Sequence, residues 1–463
     1  MTKIVRHSFS LGEKVFEKIR WEGYHVKSFG TDPSGKRFVE LDFERDYGLC
    51  PECHQKCYKF HSKQKRVATD APIDMPFTGI EVRFPVRRLR CACGHCKSEV
   101  ISWIEPRARL TNRMVGYLQS LLRMMVPTSD ISKTSGVSWT SIRRVEKQLL
   151  KFLFNELDMS DVHNLAIDEF LLHKGRRYAT AVMDIENRRI LWVCKGKTAK
   201  AIEPFFQHLK TQNLQGQIKS VSCDMNAVYP KMVKEHLPNA TIVYDLFHVM
   251  KHLTEDVFKA ARRQCFEQAK KKYTAYAKGS EQYEQGKYEA LQLTQAEWIL
   301  VMRQEQLKEK PKRQERLNEL LQNNRLLAAV APMADFIREI WSTKDRERSA
   351  SKLRQVRQLL LAIASEFNFK PAKSFAMMLS RRQDGIIPAG QFGFTTNRLE
   401  GANNKIKVIK RTGYGYRDFD FFALKIKSLL PGIKNSPWTH LSDTQCVLRG
   451  EKLWQAPVWP SAC

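Results

Sequence analysis

The sequence contains no long run of apolar residues. A helix that spans a bilayer needs about 18 or more of them in succession, and no such stretch occurs here. The leading segment, Met1–Phe16, carries scattered charges and lacks the apolar core of a secretory signal. We therefore expect no membrane partner and a cytoplasmic, nucleoid-associated location.

Acidic residues are scarce relative to basic ones. The chain has 78 Lys and Arg residues against 49 Asp and Glu residues, which gives a net charge of +29. An excess of this size favours a polyanionic partner, and nucleic acid is the commonest one. A ribosome-associated or simply basic protein would show the same balance, so the charge alone does not distinguish DNA from RNA.

Cysteine is unevenly distributed. Six of the eleven cysteines lie between Cys50 and Cys96, and such clustering without an export signal indicates a metal site and not disulfides. Two CxxC pairs, Cys50–Cys53 and Cys93–Cys96, suit a tetrahedral structural zinc ion, and Cys91 is an alternative partner for Cys96. We expect four of these five cysteines to bind zinc; free buried thiols and a redox pair are the alternatives.

Two strand-like runs flank the first cysteines, Phe38–Phe43 and Ile80–Arg90. In the second run, basic residues alternate with apolar ones. The basic residues are Arg83, Arg87, Arg88 and Arg90. This alternation is typical of a half-buried strand, and its polar face is compatible either with a DNA-facing surface or with a solvated one.

Short β-type runs begin near residue 164 and then alternate with helical periodicity. The predicted strands are Leu165–Leu171, Tyr178–Ile185, Arg189–Cys194, Ile218–Cys223 and Thr241–Leu246. Helical patterns at Ala199–Leu209 and Ala227–His236 separate the later strands, which indicates an α/β domain with a mixed sheet. Residues 249–370 show no strand signal and predict a helical insertion. A break that contains Gly and Pro is expected at Gly385–Phe392, and a last helix is expected from about Arg398 to Lys410.

This pattern predicts six segments along the chain. They are an N-terminal region with the cysteines (1–105), a helical region (106–157), the first part of the α/β domain (158–255), a helical insertion (256–385), the second part of the α/β domain (386–436) and a C-terminal tail (437–463).

Residues 107–157 look helical with a break at Pro127, and residues 130–147 have the spacing of a helix-turn-helix. Gly136 is able to adopt the left-handed conformation of a tight turn, and Ser138 is a good N-cap for the second helix. Apolar residues are spaced to form the internal contacts: Ile131, Val137, Ile142 and Val145. The side chains left toward DNA are Ser138, Trp139, Arg143 and Arg144, with Ser141 and Lys147 beside them. An ordinary helical hairpin is the alternative.

Two aspartates stand on or after predicted strands of the α/β domain. Asp168 lies inside a β run, where Asp is disfavoured, and Asp224 ends the fourth predicted strand. Carboxylates in such places are typical of sites that hold hard divalent cations for phosphoryl transfer. The alternative for Asp224 is a helix cap for residues 226–236.

Glu400 is the candidate third acid. Asn397 and Glu400 also fit a capping box, which is the structural alternative. Against it, amide and cationic residues recur on the same helical face at steps of three, four, seven and eleven from Glu400. They are Asn403 or Asn404, Lys407 and Arg411. A carboxylate followed by such groups suits a metal ion beside a phosphate backbone.

Four segments in this order make the resemblance to a known family specific. The order LAIDEF, SCDMN, YDLFH and TTNRLEGANNKIKVIKRTGYGY resembles that of the bacterial insertion-sequence transposases of the ISL-three group, with the last segment the most specific. The likeness covers most of the chain, including the cysteine region and the helix-turn-helix.

The resemblance implies a ribonuclease-H-like, mixed-sheet DDE domain with a large helical insertion, preceded by a zinc finger and a helix-turn-helix. It implies that Asp168, and not the adjacent Glu169, is the first acid, that Asp224 is the second, and that Glu400 is the third. Asp245 and His248 look like the Asp-x-x-His element of several such families, for which we expect a supporting or DNA-positioning role. Lys407 and Arg411 are expected to contact DNA.

The activity implied is cleavage of double-stranded DNA at the element's ends, followed by transfer of the freed 3′-OH to target DNA. Two Mg²⁺ ions, replaceable by Mn²⁺, would generate the nucleophile and stabilise the leaving oxygen. The family's spacing favours Cys91 over Cys93 as the partner of Cys96, and a homodimer or higher synaptic assembly is expected. A nuclease of the same fold and a non-catalytic DNA-binding derivative are the alternatives.

Overall fold

The structure is a computed structural model. It describes residues 21–73, 78–124, 126–173, 177–294, 296–393, 397–412 and 416–434, together with the strand residues 445–447 and 453–455. The chain divides into two compact units, one of residues 1–157 with 435–463 and the other of residues 158–434.

The first unit is built on a β-sheet. Its strands are β1 (Tyr24–Thr31), β2 (Arg37–Phe43), β3 (Gly48–Leu49), β4 (Lys56–Cys57), β5 (Phe60–Asp70), β6 (Ile80–Arg90) and β7 (Cys96–Ser98). Five of them pair in the order β1-β2-β6-β5, with β7 added to β6. The predicted strands Phe38–Phe43 and Ile80–Arg90 are thus confirmed as β2 and β6, whose alternating apolar residues Val39, Val82 and Phe84 lie in the core.

The buried carboxylate of Asp70, at the end of β5, binds side chains from separate parts of this unit. It accepts hydrogen bonds from the indole N–H of Trp21 at 2.8 Å and from the hydroxyl of Thr111 at 2.5 Å. The guanidinium of Arg113 binds both of its oxygens. Because Asp70 is only 1% exposed, this ion pair fastens the first helix of the unit to the sheet.

Asp70→Ala is expected to destabilise the protein by about 3–5 kcal/mol, because it leaves Arg113 and the Trp21 N–H without their buried acceptor. Urea unfolding of the full chain, followed by tryptophan fluorescence, measures the change. The exposed Asp46 provides a matched Asp→Ala control in the same unit. If Asp70→Ala lowers the free energy of unfolding by no more than the roughly 0.5 kcal/mol usual for surface substitutions, the buried contacts of Asp70 do not stabilise the unit as argued.

Three helices follow the sheet: α1 (Asn112–Arg123), α2 (Thr128–Ser135) and α3 (Trp139–Phe154). The predicted break falls at Pro127, which is the N-cap of α2. The unit also contains the short antiparallel strands β13 (Gln445–Val447) and β14 (Leu453–Gln455), where the sequence suggested an irregular tail.

The second unit contains a mixed five-stranded sheet. Its strands are β8 (Asn164–His173), β9 (Arg177–Asp184), β10 (Arg189–Lys195), β11 (Ser220–Cys223) and β12 (Thr241–Tyr244), in the order β10-β9-β8-β11-β12. The first three strands are antiparallel neighbours, and β8, β11 and β12 are parallel. Helices α4 (Ala199–Thr211) and α5 (Val228–His236) make the crossovers that parallel strands require. All five predicted strands and both helices are confirmed.

Residues 246–392 are helical and carry no strand in the part that the structure describes. The α-helices are α6 (Leu246–His252), α7 (Lys259–Tyr273), α8 (Glu281–Gln292), α9 (Glu297–Leu300), α10 (Gln304–Lys308), α11 (Pro311–Asn323), α12 (Arg325–Val330), α13 (Met333–Ser342), α14 (Arg346–Glu366), α15 (Lys370–Arg381), α16 (Gln383–Ile386) and α17 (Ala389–Phe392). A π-helical segment, Leu253–Phe258, joins α6 to α7. The break predicted at 385–392 contains two short helices instead.

Two further helices return to the sheet, α18 (Asn397–Thr412) and α19 (Phe419–Leu429). α18 is the predicted last helix, and its residues Ala402, Ile406 and Ile409 are buried in one core with Phe170 of β8. α19 was not foreseen from the sequence. Within the described residues, no helix combines the length and apolar character that crossing a membrane requires.

Candidate active site and nucleic-acid interface

The acidic residues follow from the register of three parallel strands. β11 ends at Cys223 and β12 ends at Tyr244, and these two residues are register partners. Cys223 is also the register partner of Ile167 on β8. The residues that come next on the three strands therefore lie side by side at one end of the parallel strands: Asp168, Asp224 and Asp245.

The carboxylate of Asp168 is oriented by hydrogen bonds. The backbone N–H of Glu169 donates to its Oδ1 at 2.7 Å, and Nδ2 of Asn403 on α18 donates to its Oδ2 at 2.5 Å. Nε2 of His248 lies 4.0 Å from Oδ1. The side chain remains 20% exposed, so Asp168 is held in one position and is still accessible.

Asp224 does not cap the helix that follows it. α5 has Ala227 as its N-cap, a residue with no capping side chain. Oδ1 of Asp224 instead accepts a hydrogen bond from the backbone N–H of Asn226 at 2.9 Å. The alternative that Asp224 is a helix cap is therefore wrong, and the turn after β11 holds its carboxylate beside the strand end.

Asp245 and His248 belong to the first turn after β12. Asp245 is the N-cap of α6, and its Oδ1 accepts a hydrogen bond from the backbone N–H of Phe247 at 2.9 Å. His248, one turn further, faces Asp168. The structure therefore brings this predicted supporting pair to the two aspartates.

Burial raises the pKa of all three aspartates above the ordinary range. For Asp224 the charge of Asp168 raises the pKa further, and for Asp245 the charges of both other aspartates do so. His248 lowers the pKa of each of the three, yet burial prevails. A cluster of half-buried carboxylates that repel one another is the donor set that a hard divalent cation suits, because the charge of the cation removes the repulsion.

The helix that carries Glu400 reaches this cluster. Asn403 lies one turn beyond Glu400 on the same face of α18, and it is the amide bound to Asp168, where the sequence left Asn403 and Asn404 open. The side chain of Glu400 lies outside the described residues, so its part in the site stays a prediction. Lys407 and Arg411, further along this helix, are exposed.

A second set of contacts, missed from the sequence, surrounds Glu169. Its carboxylate accepts a hydrogen bond from Tyr229 Oη at 3.0 Å and from Asn226 Nδ2 at 3.5 Å, and it lies 3.5 Å from Nζ of Lys197. Asn226 also holds Asp224 through its backbone. Glu169 therefore supports the turn that positions Asp224, which gives the second carboxylate of the Asp168–Glu169 pair a structural role.

Four of the clustered cysteines form a group in the first unit. The Sγ atoms of Cys50, Cys53, Cys91 and Cys93 all lie within 4.8 Å of one another. The closest contacts are 3.4 Å between Cys53 and Cys91 and 3.7 Å between Cys50 and Cys93. Four thiols at this spacing match the ligand set of a tetrahedral structural zinc site. The nine cysteines whose side chains the structure describes are all free thiols.

Cys96 is not part of this group, so the structure does not bring it together with Cys91 or Cys93 as the sequence suggested. It begins β7 as the register partner of Arg90 and is therefore part of the sheet. Cys91 and Cys93 lie on the turn before it, closed by a hydrogen bond from Gly94 N to Cys91 O at 3.0 Å. Hydrogen bonds from the backbone and then the ring of His95 lower the pKa of Cys93 to about 6, whereas hydrogen bonds with neighbouring thiols contribute to raising the pKa of Cys53 and Cys91.

The arginines of β6 have separate roles. Arg87 is buried at 4% exposure, its guanidinium donates to Tyr47 O at 2.5 Å, and it lies 3.7 Å from the carboxylate of Glu99. Arg83 pairs with Glu81 at 2.7 Å. Only Arg88 and Arg90 are exposed among these four arginines. Arg87 is therefore a core residue, and the DNA-facing interpretation does not hold for it.

The helix-turn-helix has the predicted geometry. Gly136 ends α2 in the left-handed region with φ of 70°, and Ser138 is the N-cap of α3, its hydroxyl accepting from Ser141 N at 3.4 Å. The four predicted internal residues are buried: Ile131, Val137, Ile142 and Val145. The turn and its core therefore follow directly from the local sequence.

The start of α3 presents an aromatic and cationic surface. Trp139 is 48% exposed, and the guanidinium of Arg143 lies 5.0 Å from its ring centroid. Arg144 is exposed beside them, whereas the hydroxyl of Ser138 is engaged in the cap. An exposed N-terminal turn of the second helix is the part that enters the major groove in proteins with this motif.

Two family models match the chain. Residues 165–426, more than half of the chain, match a family described as transposase, with a DDE catalytic domain, and residues 99–150 match the helix-turn-helix domain of transposase family ISL3. The chain therefore belongs to the ISL3 family: it is an insertion-sequence transposase with a helix-turn-helix DNA-binding domain and a DDE catalytic domain.

Similar proteins carry the same description. The chain is 31% identical over 428 residues to the transposase for insertion sequence element IS1001 of Bordetella parapertussis, covering 91% of this chain and 99% of that protein. It is 22% identical over 320 residues to the transposase for insertion sequence element IS1557 from two strains of Mycobacterium tuberculosis, covering 65% of this chain and 69% of those proteins. The family predicted from the sequence is thereby confirmed.

Proposed function

We propose that Asp168, Asp224 and Glu400 hold two Mg²⁺ ions, replaceable by Mn²⁺, and that this site cleaves DNA at the ends of the element and joins the freed 3′-OH to target DNA. The observation that carries the proposal is the bond from Asn403 on α18 to Asp168. This bond places the helix that carries Glu400 next to the end of the parallel strands, where Asp168 and Asp224 lie side by side.

We also propose a ribonuclease-H-like fold for this domain. The support is the five-stranded sheet in the order β10-β9-β8-β11-β12, with three antiparallel strands followed by two parallel ones. The helical segment after β12 separates this sheet from α18, which supports a domain in two parts around an insertion.

When bound, the two ions would lower the pKa of the attacking water and stabilise the leaving 3′ oxygen. The protein's share is to orient the acids before substrate arrives. Asn403 and the backbone of Glu169 fix Asp168, and the backbone of Asn226 fixes Asp224. His248 supports the ionised form of Asp168. Lys407 and Arg411 on the same helix as Glu400 would contact the DNA backbone.

The first unit would bind the double-stranded ends of the element. The support is the exposed Trp139 and Arg144 at the start of α3, with the half-buried Arg143 against the ring of Trp139. One structural zinc ion on Cys50, Cys53, Cys91 and Cys93 would hold the loops after β3 and β6 together. Since two ends must be joined to one target, we propose that the protein acts as a homodimer or a larger synaptic assembly.

A labelled DNA duplex that carries an element end tests the activity. Purified protein with Mg²⁺ should release the end and, with a target plasmid, should produce joined strands. Cleavage without joining would identify a nuclease instead. Binding to the end without either reaction would identify a non-catalytic DNA-binding protein.

Arg144→Ala is expected to weaken binding to the element's end by roughly 1–3 kcal/mol, as for loss of one base or phosphate contact. Lys151, an exposed cation near the other end of α3, provides the matched Lys→Ala control. Fluorescence anisotropy at several salt concentrations measures both. Equal effects of the two substitutions would show that only net charge matters and would contradict a recognition role for the start of α3.

A further inference from the structure

Tyr244, the last residue of β12, is held by the helical segment that follows the sheet. Its backbone carbonyl accepts a hydrogen bond from Nε1 of Trp341 on α13 at 3.2 Å. Its hydroxyl lies 3.5 Å from Nη1 of Arg382, whose guanidinium is 5.7 Å from the ring centroid. The side chain is buried at 6% exposure.

The third contact is steric. Gly385, on α16, packs so tightly against the Tyr244 ring that a Cβ at this position would approach two ring carbons to 2.5 Å. Glycine is therefore required by close approach and not by its backbone conformation. Two separate parts of the helical segment thus converge on one residue of the sheet: Trp341 on α13, and Arg382 with Gly385 at the start of α16.

Tyr244, held by these contacts, is next to the proposed active site. Asp245 follows Tyr244 directly and caps α6, and the charges of Asp168 and Asp224 raise the pKa of its carboxylate, which places it beside them. One turn later His248 faces Asp168. A small shift of Tyr244 would therefore move both supporting residues, and shifts of about 1 Å at a reacting centre are enough to cost roughly 100-fold in rate.

We propose that Trp341 and Arg382 are positioning residues. They clamp Tyr244 so that Asp245 and His248 stand at the distance from Asp168 that metal binding requires. This gives the helical insertion a role in the reaction, beyond its part in the fold. The inference rests on the proposed metal site of Asp168, Asp224 and Glu400.

The contacts of Trp341 and Arg382 with Tyr244 form what we call the clamp. Two conservative variants test it. Trp341→Phe keeps an aromatic ring but removes the N–H that Tyr244 O accepts, and Tyr244→Phe removes the hydroxyl near Arg382. Trp298→Phe is the matched control, because Trp298 lies in the same insertion and contacts Arg313 by a cation–π interaction at 4.9 Å. Having two independent variants keeps the test valid if one of them folds poorly.

We expect Trp341→Phe and Tyr244→Phe to weaken Mn²⁺ binding about 10-fold to 100-fold, as loss of support around metal ligands does. Isothermal titration calorimetry of Mn²⁺ into the DNA-free protein measures this without any turnover. The cleavage rate at subsaturating Mn²⁺ should fall in parallel and recover at high Mn²⁺, while affinity for end DNA stays at the wild-type value. Trp298→Phe should change none of these quantities.

The inference is overturned if both clamp variants bind Mn²⁺ as tightly as Trp298→Phe does. It is also overturned if they lose only thermal stability and DNA affinity, since that pattern belongs to a purely structural contact. Asp168→Asn separates this failure from failure of the metal site. If Asp168→Asn loses Mn²⁺ binding and the clamp variants do not, the clamp alone is wrong; if Asp168→Asn binds Mn²⁺ normally, the proposed site is wrong.

Discussion

Asp168→Asn should abolish both DNA cleavage and strand transfer, with a loss of about 1,000-fold or more. Asn retains the size of Asp and one oxygen that accepts hydrogen bonds, but it removes the negative charge that a divalent cation needs. Metal coordination stabilises phosphoryl-transfer transition states by several kcal/mol, and about 4 kcal/mol corresponds to 1,000-fold. The same substitution at Asp224 and Glu400→Gln should have comparable effects.

The effect should be confined to catalysis. The helix-turn-helix and the cysteine group belong to the other compact unit, so binding to end DNA should stay within about twofold of wild type, a difference of roughly 0.4 kcal/mol. Since burial raises the pKa of Asp168, removing its charge should leave the metal-free protein at least as stable as wild type. Thermal unfolding checks the last point.

Divalent cations provide a readout that is independent of turnover. A ligand that binds only the native state raises its stability, by about 2.7 kcal/mol at 100 times its dissociation constant. Mg²⁺ or Mn²⁺ should therefore raise the Tm of wild type but not of Asp168→Asn. Asp420→Asn is the control, because Asp420 is exposed on α19. Cleavage that persists in Asp168→Asn would remove Asp168 from the site.

Local patterns in the sequence were sufficient for much of the fold. The apolar runs that became β8 to β12 are bounded by turns and form a buried sheet, so period and length alone indicate them. The helix-turn-helix depends on Gly136 and Ser138, two residues whose roles are local. For the helix-turn-helix, the energy that selects the turn comes from residues within about one or two helical turns of one another.

Features that depend on long-range register could not be read in this way. Whether Cys91, Cys93 or Cys96 faces the first pair depends on where the β6–β7 turn falls, and a shift of one residue turns a side chain to the other face. Arg87 resembled a surface cation because its partner Glu99 lies on another segment. The contacts of Tyr244 with Trp341 and Arg382 join segments far apart in sequence and leave no local signal.

The candidate site was predictable from the sequence only in part. Asp168 stood out because strands disfavour Asp, Asp224 stood out because it ends a strand, and parallel pairing then placed them together. Glu400 also fitted a helix cap, and the family likeness selected it as the third acid. The structure adds the contact of Asn403 with Asp168, a neighbour one turn from Glu400 that no periodicity could connect with a strand far earlier in the chain.

Cys93→Ser should remove the zinc ion that we propose for the first unit. Purified wild type should contain about one zinc per chain, and the variant close to none, because a hydroxyl does not replace a thiolate in a tetrahedral structural site. Structural zinc contributes roughly 10 kcal/mol or more of folding free energy in small zinc domains. Loss of zinc should therefore unfold the cysteine region and abolish binding to end DNA.

Cys96→Ser is the matched control, and it separates the structural assignment from the pairings that the sequence suggested. Cys96 lies only three residues after Cys93, at the start of β7, where it is the register partner of Arg90. Its Sγ nevertheless lies outside the group of four. Its variant should keep about one zinc per chain and full DNA affinity, since the four ligands of a tetrahedral site remain. Metal analysis by mass spectrometry and anisotropy with labelled end DNA measure both properties.

The two variants together decide the ligand set. If Cys96→Ser loses zinc and Cys93→Ser retains it, the family's pairing of Cys91 with Cys96 is right and the turn must be arranged differently. If both retain zinc, neither is a ligand, and His95, whose ring lies 3.5 Å from Cys93 Sγ, becomes the next candidate to test. If wild type contains no zinc, the four thiols form a reduced cluster, and chelator treatment should leave DNA binding unchanged.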